Sequence, residues 1–426
     1  MLLVFVIGLF GLVLLGAPIA FALIGTAIFM SLAQGAGLPT MKLAQSFVIG
    51  CDSVPLLAIP FFMLAGEIMN EGGISKRIVN WANALLGHFR GGLGYVGVLA
   101  SMIFAGVSGS AVADTSAVGS ILLPMMQETG YEKNKSTALI ASAGCIGPII
   151  PPSTQMIIYG VMAEVSVSSL FMGGVAPGIL IGLALMVLWS FHARKANYAT
   201  RPRASLKEVG VATKEAILAV LLPFFIIGCI IGGVATATET AALAVFYALF
   251  VSLLVYKEMD IRHLPRLVAN ACRSTAVMMM VVGAANVAAY LITTAQIPQL
   301  LAKAILSVTN NAYVFMLMVN LMLVLVGCVM DSGPAIMILV PILLPIAKMF
   351  GIDPVYFGVV MVVNLCIGLI TPPVGNVLYV GVSLGRVKLV DLIKAIWPNI
   401  VVMFAVLFAI TYLPNLIMFI PRLVVG

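Results

Sequence analysis

Apolar runs of about 20 residues, the length that crosses a bilayer as a helix, fill most of the chain. They lie near 2–34, where two helices meet around Gly16-Ala17-Pro18, and at 92–107, 170–191, 216–234, 237–256, 274–292, 312–329 and 394–414. Four other apolar stretches, 106–130, 137–163, 327–351 and 355–383, are cut by Gly, Pro and Ser. Two segments, Ile74 to Arg90 and Ile297 to Asn311, are amphipathic. In the first, Ile74, Ile78, Trp81 and Leu85 share one helical face while Lys76, Arg77, Asn80 and Asn83 lie elsewhere, the pattern of a helix resting on a membrane surface. Residues 1–16 lack a basic leader and a small-residue cleavage site follows nowhere nearby, so a retained helix is expected there.

Composition turns this pattern into a class. Of 426 residues 62% are hydrophobic and 9% charged, with a mean hydropathy of +1.18. Soluble domains carry about 25% charged residues, which excludes a cytosolic enzyme, a nucleic-acid binder and a disordered scaffold. The expected fold is an all-α polytopic membrane protein. The net charge of +7 belongs to short basic clusters between apolar runs. One, His192 to Glu215, holds Arg194, Lys195, Arg201, Arg203, Lys207 and Lys214; another, two spans later, holds Lys257, Arg262, Arg266 and Arg273. Two spans return the chain to the same side, so both are expected in the cytoplasm by the bias of Lys and Arg. The early loop Ala33 to Ser46 has only Lys42 and fits the outer side. The expected organisation is a first unit over 1–191, a cytoplasmic basic linker over 192–215 and a second, oppositely oriented unit over 216–426.

Six Cys are scattered singly in apolar stretches and three His flank the spans, without metal-ligand spacing, so no metal cluster or organic cofactor is expected. The 25 Met read as packing filler.

The halves repeat. Residues 106–177 align without a gap onto 327–398, with 15 identities. These include Pro124/Pro345, Pro151/Pro372, Pro152/Pro373 and Pro177/Pro398, and Gly106/Gly327, Gly130/Gly351, Gly147/Gly368 and Gly160/Gly381. Composition alone gives about 0.2 matched prolines, against these four. What repeats is the set of helix breakers. An unpaired backbone group in hydrocarbon costs several kcal/mol, so broken backbone at membrane depth survives only where protein or water surrounds it. Matched breaks in inverted halves point to a binding site at their interface. Two re-entrant hairpins are expected to turn at Gly106-Val-Ser108-Gly-Ser110-Ala and at Met330-Asp331-Ser332-Gly333-Pro334. Two unwound helices are expected at 147–155 and 368–376. Consecutive prolines free the preceding carbonyls, and with a nearby Ser or Thr hydroxyl these make an oxygen cage for a small monovalent cation. Half-helix N-termini beside it would attract an anion, which points to ion-coupled anion transport.

At these motifs the chain resembles the large membrane subunit of tripartite ATP-independent periplasmic (TRAP) transporters, within the wider ion transporter superfamily. The resemblance rests on IPFFMLAGEIMNEGG (59–73), GVSGSAVADTSAVGSILLP (106–124), GPIIPPS (147–153), MDSGPAIMILVPILLP (330–345) and GLITPPVGN (368–376), in that order. It implies a secondary transporter of the bacterial inner membrane that imports organic acids, of the C4-dicarboxylate or sialic acid class, on a sodium gradient. It implies two partners, a small membrane subunit and a periplasmic substrate-binding protein. It also implies an elevator-type transport domain of hairpins and unwound helices held by a scaffold of long helices and surface arms, which 74–90 and 297–311 would supply. The family's sodium sites carry over to Gly106, Ser108, Ser110, Gly147 and Ser153, and to Gly327, Asp331, Gly368, Thr371 and Val374. The hydroxyls are unequal, since Ser153 pairs with Val374 and Ile150 with Thr371, so backbone oxygens must supply much of each shell.

Other readings compete at single residues. Asp114 and Asp331, costly in apolar hairpins, are read as functional, although Asp also caps helix starts. Ser108 and Ser110 could merely allow close helix packing. Asp114, together with Thr154, Gln155 and Asn376 after the proline pairs, is expected to face substrate. Asp52, Glu67 and Glu239 are read as structural or interfacial, and Arg386 and Lys388 as loop charges. An intramembrane hydrolase using Ser108 or Ser110 lacks a His or Lys base nearby, and no GxxxxGK[ST] motif supports an ATP-driven pump, so the chain is not read as an enzyme. A passive channel suits paired hairpins less well than alternating access. The nearest rival is a stand-alone sodium- or proton-coupled dicarboxylate carrier or antiporter of the same superfamily.

Overall fold

In a computed structural model describing residues 1–35, 39–200 and 202–425, the chain forms twenty α-helices joined by short turns, with no strand among the described residues. Arg201 of the basic cluster, residues 36–38 of the early loop and Gly426 lie outside the described residues. Among the described residues seven helices are long and apolar enough to cross a membrane, including Val167–Lys195, Leu206–Ile231, Ser332–Met349 and Leu389–Tyr412. This is a multi-pass membrane protein.

The repeat extends to the helices themselves. Ile74–Leu86, Gly92–Ser108, Ala111–Glu128, Lys133–Gly144, Thr154–Ala163 and Val167–Lys195 recur as Ile297–Val308, Ala312–Gly327, Ser332–Met349, Pro354–Gly368, Asn376–Gly385 and Leu389–Tyr412. The two halves exchange partners. Ala111–Glu128 packs on Asn376–Gly385, and its counterpart Ser332–Met349 packs on Thr154–Ala163. Likewise Lys133–Gly144 packs on Leu389–Tyr412, and Pro354–Gly368 on Val167–Lys195. Reciprocal contacts of this kind are what a twofold relation between halves produces. Around this core stand Ile19–Ala33, Thr40–Cys51 and Ala58–Glu71, all packed on the long helix Leu264–Thr294.

The basic stretch 192–215 is largely the ends of two helices rather than a loop. Val167–Lys195 runs into it, and Leu206–Ile231 starts ten residues before the apolar run does. Ser205 and Glu208 form a reciprocal capping box, which ends the fraying of a polar first turn and starts the helix there. Only Ala196 to Ser205 links the halves. Both basic regions meet the arm Ile74–Leu86 or the helix end just before it: Trp81 bonds Thr213 at 3.1 Å, Arg77 pairs with Glu258 at 2.8 Å, and Glu71 meets His263 at 2.9 Å and Arg266 at 3.2 Å. They therefore share one end of the bundle. The equivalent turn of the second half, Tyr412 to Asn415, carries no charge of its own and among the described residues meets a single cation, Arg422, which bonds Asn415 at 3.4 Å, in keeping with the bias of Lys and Arg to one side.

Candidate ion and substrate junctions

At the first junction, Gly92–Ser108 ends in Gly109, whose φ of +58° is the left-handed conformation that reverses the chain into Ala111–Glu128. A Cβ on Gly109 would lie 2.7 Å from the Pro152 carbonyl oxygen, so only glycine lets the hairpin tip lie against the broken helix. The break itself runs from Cys145 to Ser153 between Lys133–Gly144 and Thr154–Ala163. Ser110 caps the returning helix by accepting from the Ala113 amide at 3.4 Å. Ser153 caps Thr154–Ala163 by accepting from the Met156 amide at 3.1 Å and donates to the Pro148 carbonyl. Gly106 packs against the Pro223 ring of Leu206–Ile231, 2.5 Å from where its Cβ would stand, with the Pro151 carbonyl next to it at 3.5 Å.

Between tip and break lies Asp114. It is fully buried, accepts a hydrogen bond from the Ser108 hydroxyl, and has no hydrogen-bond partner on Oδ2 among the described residues. That oxygen is aimed at Gly147, where a Cβ would collide with it. A buried carboxylate oxygen left unpaired costs several kcal/mol unless a cation or proton completes it. The Pro151 and Pro152 carbonyls of the break turn toward Gly106 and Gly109 of the same hairpin, so the junction offers oxygen donors of the kind that suit a small hard cation.

The second junction is built differently. Gly327 and Gly368 stand back to back, 3.2 Å from a Cβ on the first to the Cα of the second, and the Val374 amide donates to the Cys328 carbonyl at 3.2 Å. Thr371 is buried and its hydroxyl donates to Ile367 at 2.8 Å. Asp331 is exposed and caps Ser332–Met349, accepting from the Ser332 amide at 2.7 Å. Ala335 stands where the repeat would place a partner for Asp114. The interior carboxylate therefore exists on one side only.

Thr154 and Gln155 connect the junctions. The Thr154 hydroxyl lies 3.1 Å from the Gly109 carbonyl and 2.8 Å from Gln155 Oε1. Gln155 Nε2 donates to the Ser332 hydroxyl at 3.2 Å, and that hydroxyl lies 3.3 Å from Asp331 Oδ1. A buried polar chain thus runs from one hairpin tip to the other.

A cavity of about 330 Å³ opens beside the first tip, lined by Ser108, Ser110 and Ser116 of the hairpin, Glu67 and Asn70 of Ala58–Glu71, and Ser274 of Leu264–Thr294. The first-turn amides of Ala111–Glu128 border it, the helix end that attracts anions. No Lys or Arg lines it, so an anion here would be balanced by that helix end and a neighbouring cation.

The structure thus gathers Gly106, Ser108, Ser110, Gly147 and Ser153 at one junction, and Gly327, Asp331, Gly368, Thr371 and Val374 at the other. It does not gather Asp114, Thr154, Gln155 and Asn376 into one substrate pocket. Asp114 joins the first junction, Thr154 and Gln155 bridge the halves, and Asn376 is exposed at the second break; none of the four lines the cavity. The reason is that residues after the two proline pairs belong to different junctions. Glu67, expected to be structural or interfacial, and Asn70 instead reach the cavity: Met63, Gly66, Glu67 and Asn70 follow helical spacing and form one face toward it, a spacing the sequence carries.

Comparison with known proteins follows the same lines. Residues 6–416 match the family described as "Tripartite ATP-independent periplasmic transporter, DctM component". The chain is 44% identical over 417 residues to the 2,3-diketo-L-gulonate TRAP transporter large permease protein of Escherichia coli, covering 97% of each. It is 38% identical to the sialic acid TRAP transporter large permease protein of Vibrio cholerae, covering 99% of this chain and 98% of the other. In fold it is similar to the crystal structure of the Alcanivorax borkumensis YdaH transporter, with a TM-score of 0.61 at 16% identity, covering 88% of this chain and 87% of that one.

Proposed function

The chain belongs to the DctM-component family of tripartite ATP-independent periplasmic transporters, and on that premise we propose that it imports a small organic acid anion across the bacterial inner membrane, driven by sodium. Relatives named for sialic acid and 2,3-diketo-L-gulonate support a hydrophilic acid as cargo. The observation that carries the reading is the pair of junctions where a hairpin tip abuts a broken helix, one with an unpaired buried carboxylate. A sodium ion at each junction would be held by backbone carbonyls, at the first it would also neutralise Asp114, and the cavity beside that junction would take the anion. Hairpins and broken helices would move together against the outer helices as an elevator. The partners are a small membrane subunit and a periplasmic substrate-binding protein that delivers the anion.

The test is uptake of a labelled acid into proteoliposomes. Uptake should require the small subunit, the binding protein and an inward sodium gradient together. Uptake by this chain alone would replace the reading with a stand-alone carrier. The unpaired oxygen of Asp114 also favours a second reading, coupling to protons, because a proton satisfies it as a cation does. Uptake that persists without sodium and collapses with the pH gradient would select it.

A further inference from the structure

A second cavity, about 380 Å³, lies away from the junctions where the start of Lys133–Gly144, the end of Val167–Lys195 and the start of Leu389–Tyr412 converge. We propose that it holds an anionic phospholipid, with the headgroup phosphate between Lys135, His192 and Lys195 and an acyl chain along Leu139, Leu188 and Ala395. All six residues line the cavity. Leu188 is seven residues from Lys195 on one helix, about 10 Å toward the membrane interior. The cavity is therefore cationic at one end and mostly apolar at the other, where the one amide that lines it, Asn399, is bonded to the Ser142 hydroxyl at 3.0 Å, the profile of a lipid rather than of a free anion. Lys135 pairs with Glu132 at 3.1 Å, and both side chains are more than two-fifths exposed, so screening leaves that pair weak. Lys195 makes no ion pair among the described residues.

The cavity sits at interfacial depth. Trp189 on its wall stacks near Tyr131, 6.2 Å between ring centroids, and bonds the Gly91 carbonyl at 2.8 Å. Tyr198 stacks on Tyr131 at 4.3 Å and donates or accepts at His192 over 3.2 Å. Trp and Tyr gather at the level of lipid headgroups. The basic stretch that begins here marks the side where anionic lipid attracts Lys and Arg. The lipid would touch helices of both halves, so it would brace the interface between them.

Native mass spectrometry of the full chain, released from nanodiscs of equal dioleoyl phosphatidylglycerol and phosphatidylcholine, tests this. Wild type should retain phosphatidylglycerol in preference, and K135Q/K195Q should lower that retention at least tenfold, about fivefold per ammonium. K303Q/K348Q, exposed lysines elsewhere, should change nothing. A395W, which fills the apolar end and keeps every charge, should also lose the lipid. Should the double variant not fold, K195Q alone carries the charge test. Equal retention of the two lipids by wild type, or retention unchanged in K195Q, would overturn the proposal. So would displacement of the lipid by inorganic phosphate with A395W silent, which would assign a free anion instead.

Discussion

The two junctions descend from one plan and solve the same problem with different chemistry. Each sets a hairpin tip against a proline-broken helix. The first answers with an acid: Asp114 inside, held by Ser108 and aimed at Gly147. The second answers with bare backbone: Gly327 against Gly368, Val374 bonded to Cys328, and its carboxylate, Asp331, displaced outward to a cap. Duplication conserves the break, which geometry demands, and frees the side chains to diverge. A carboxylate binds a cation through charge. A carbonyl shell binds it through fit, and so should tolerate distortion less.

Four pairs of substitutions, one member at each junction, sharpen or break this contrast. The largest effect is expected at the glycines. G368A forces its Cβ to within 2.6 Å of Gly327 backbone, where neither strand can yield, so about 1–3 kcal/mol of stability should be lost, and transport with it. G147A meets the movable Asp114 side chain and should cost less stability while shifting sodium dependence; equal melting temperatures for the two would void the distinction. Next come the acids. D114N keeps shape but removes the interior charge, and the sodium concentration for half-maximal uptake should rise at least tenfold. D331N loses part of an exposed cap, about 0.5–2 kcal/mol at most, and should move that concentration by only a few-fold. If the order reverses, the exposed acid is the ligand.

A smaller contrast separates the hydroxyls. S108A removes the donor that positions Asp114 and should raise the sodium requirement several-fold, whereas T371A deletes a hydroxyl already bonded to its own helix at Ile367. Unchanged sodium dependence in both would remove the hydroxyls from the ion sites. The smallest concerns cooperation. Q155A cuts the polar chain between the tips and should lower the Hill coefficient for sodium toward one with little change in maximal rate, while N376A, exposed at the equivalent place, should leave it unaltered. Identical coefficients in wild type and Q155A would show that the junctions fill independently.

Much of the architecture was readable because breakers leave a record in one dimension. Pro151-Pro152 and Pro372-Pro373 mark the two unwound segments, and the offset that aligns them carries Ala111–Glu128 onto Ser332–Met349 end for end. Side-chain geometry across segments leaves no such record. Nothing local to Asp114 announces that it points to Gly147, more than thirty residues on, rather than to the cavity, and nothing local to Gln155 announces Ser332. The start of Leu206–Ile231 was legible in Ser205 and Glu208 but masked by the polarity around them. Glu67 was hidden for a different reason: it stands with Asn70 beside Met63 and Gly66 in a helix of mostly apolar residues, and only Leu264–Thr294 and the hairpin close a space in front of that face.

The exchange of partners between halves also bears on biosynthesis. The helix that seats the first hairpin, Asn376–Gly385, is made roughly 250 residues after that hairpin's own last residue. At ribosomal speeds of 5–20 residues per second, the nascent chain waits about 12–50 s with a kinked, half-sheltered segment in or near the insertion machinery. Slow-growth or codon changes downstream of residue 200 should therefore expose this chain to quality-control proteolysis more than the same delay imposed upstream.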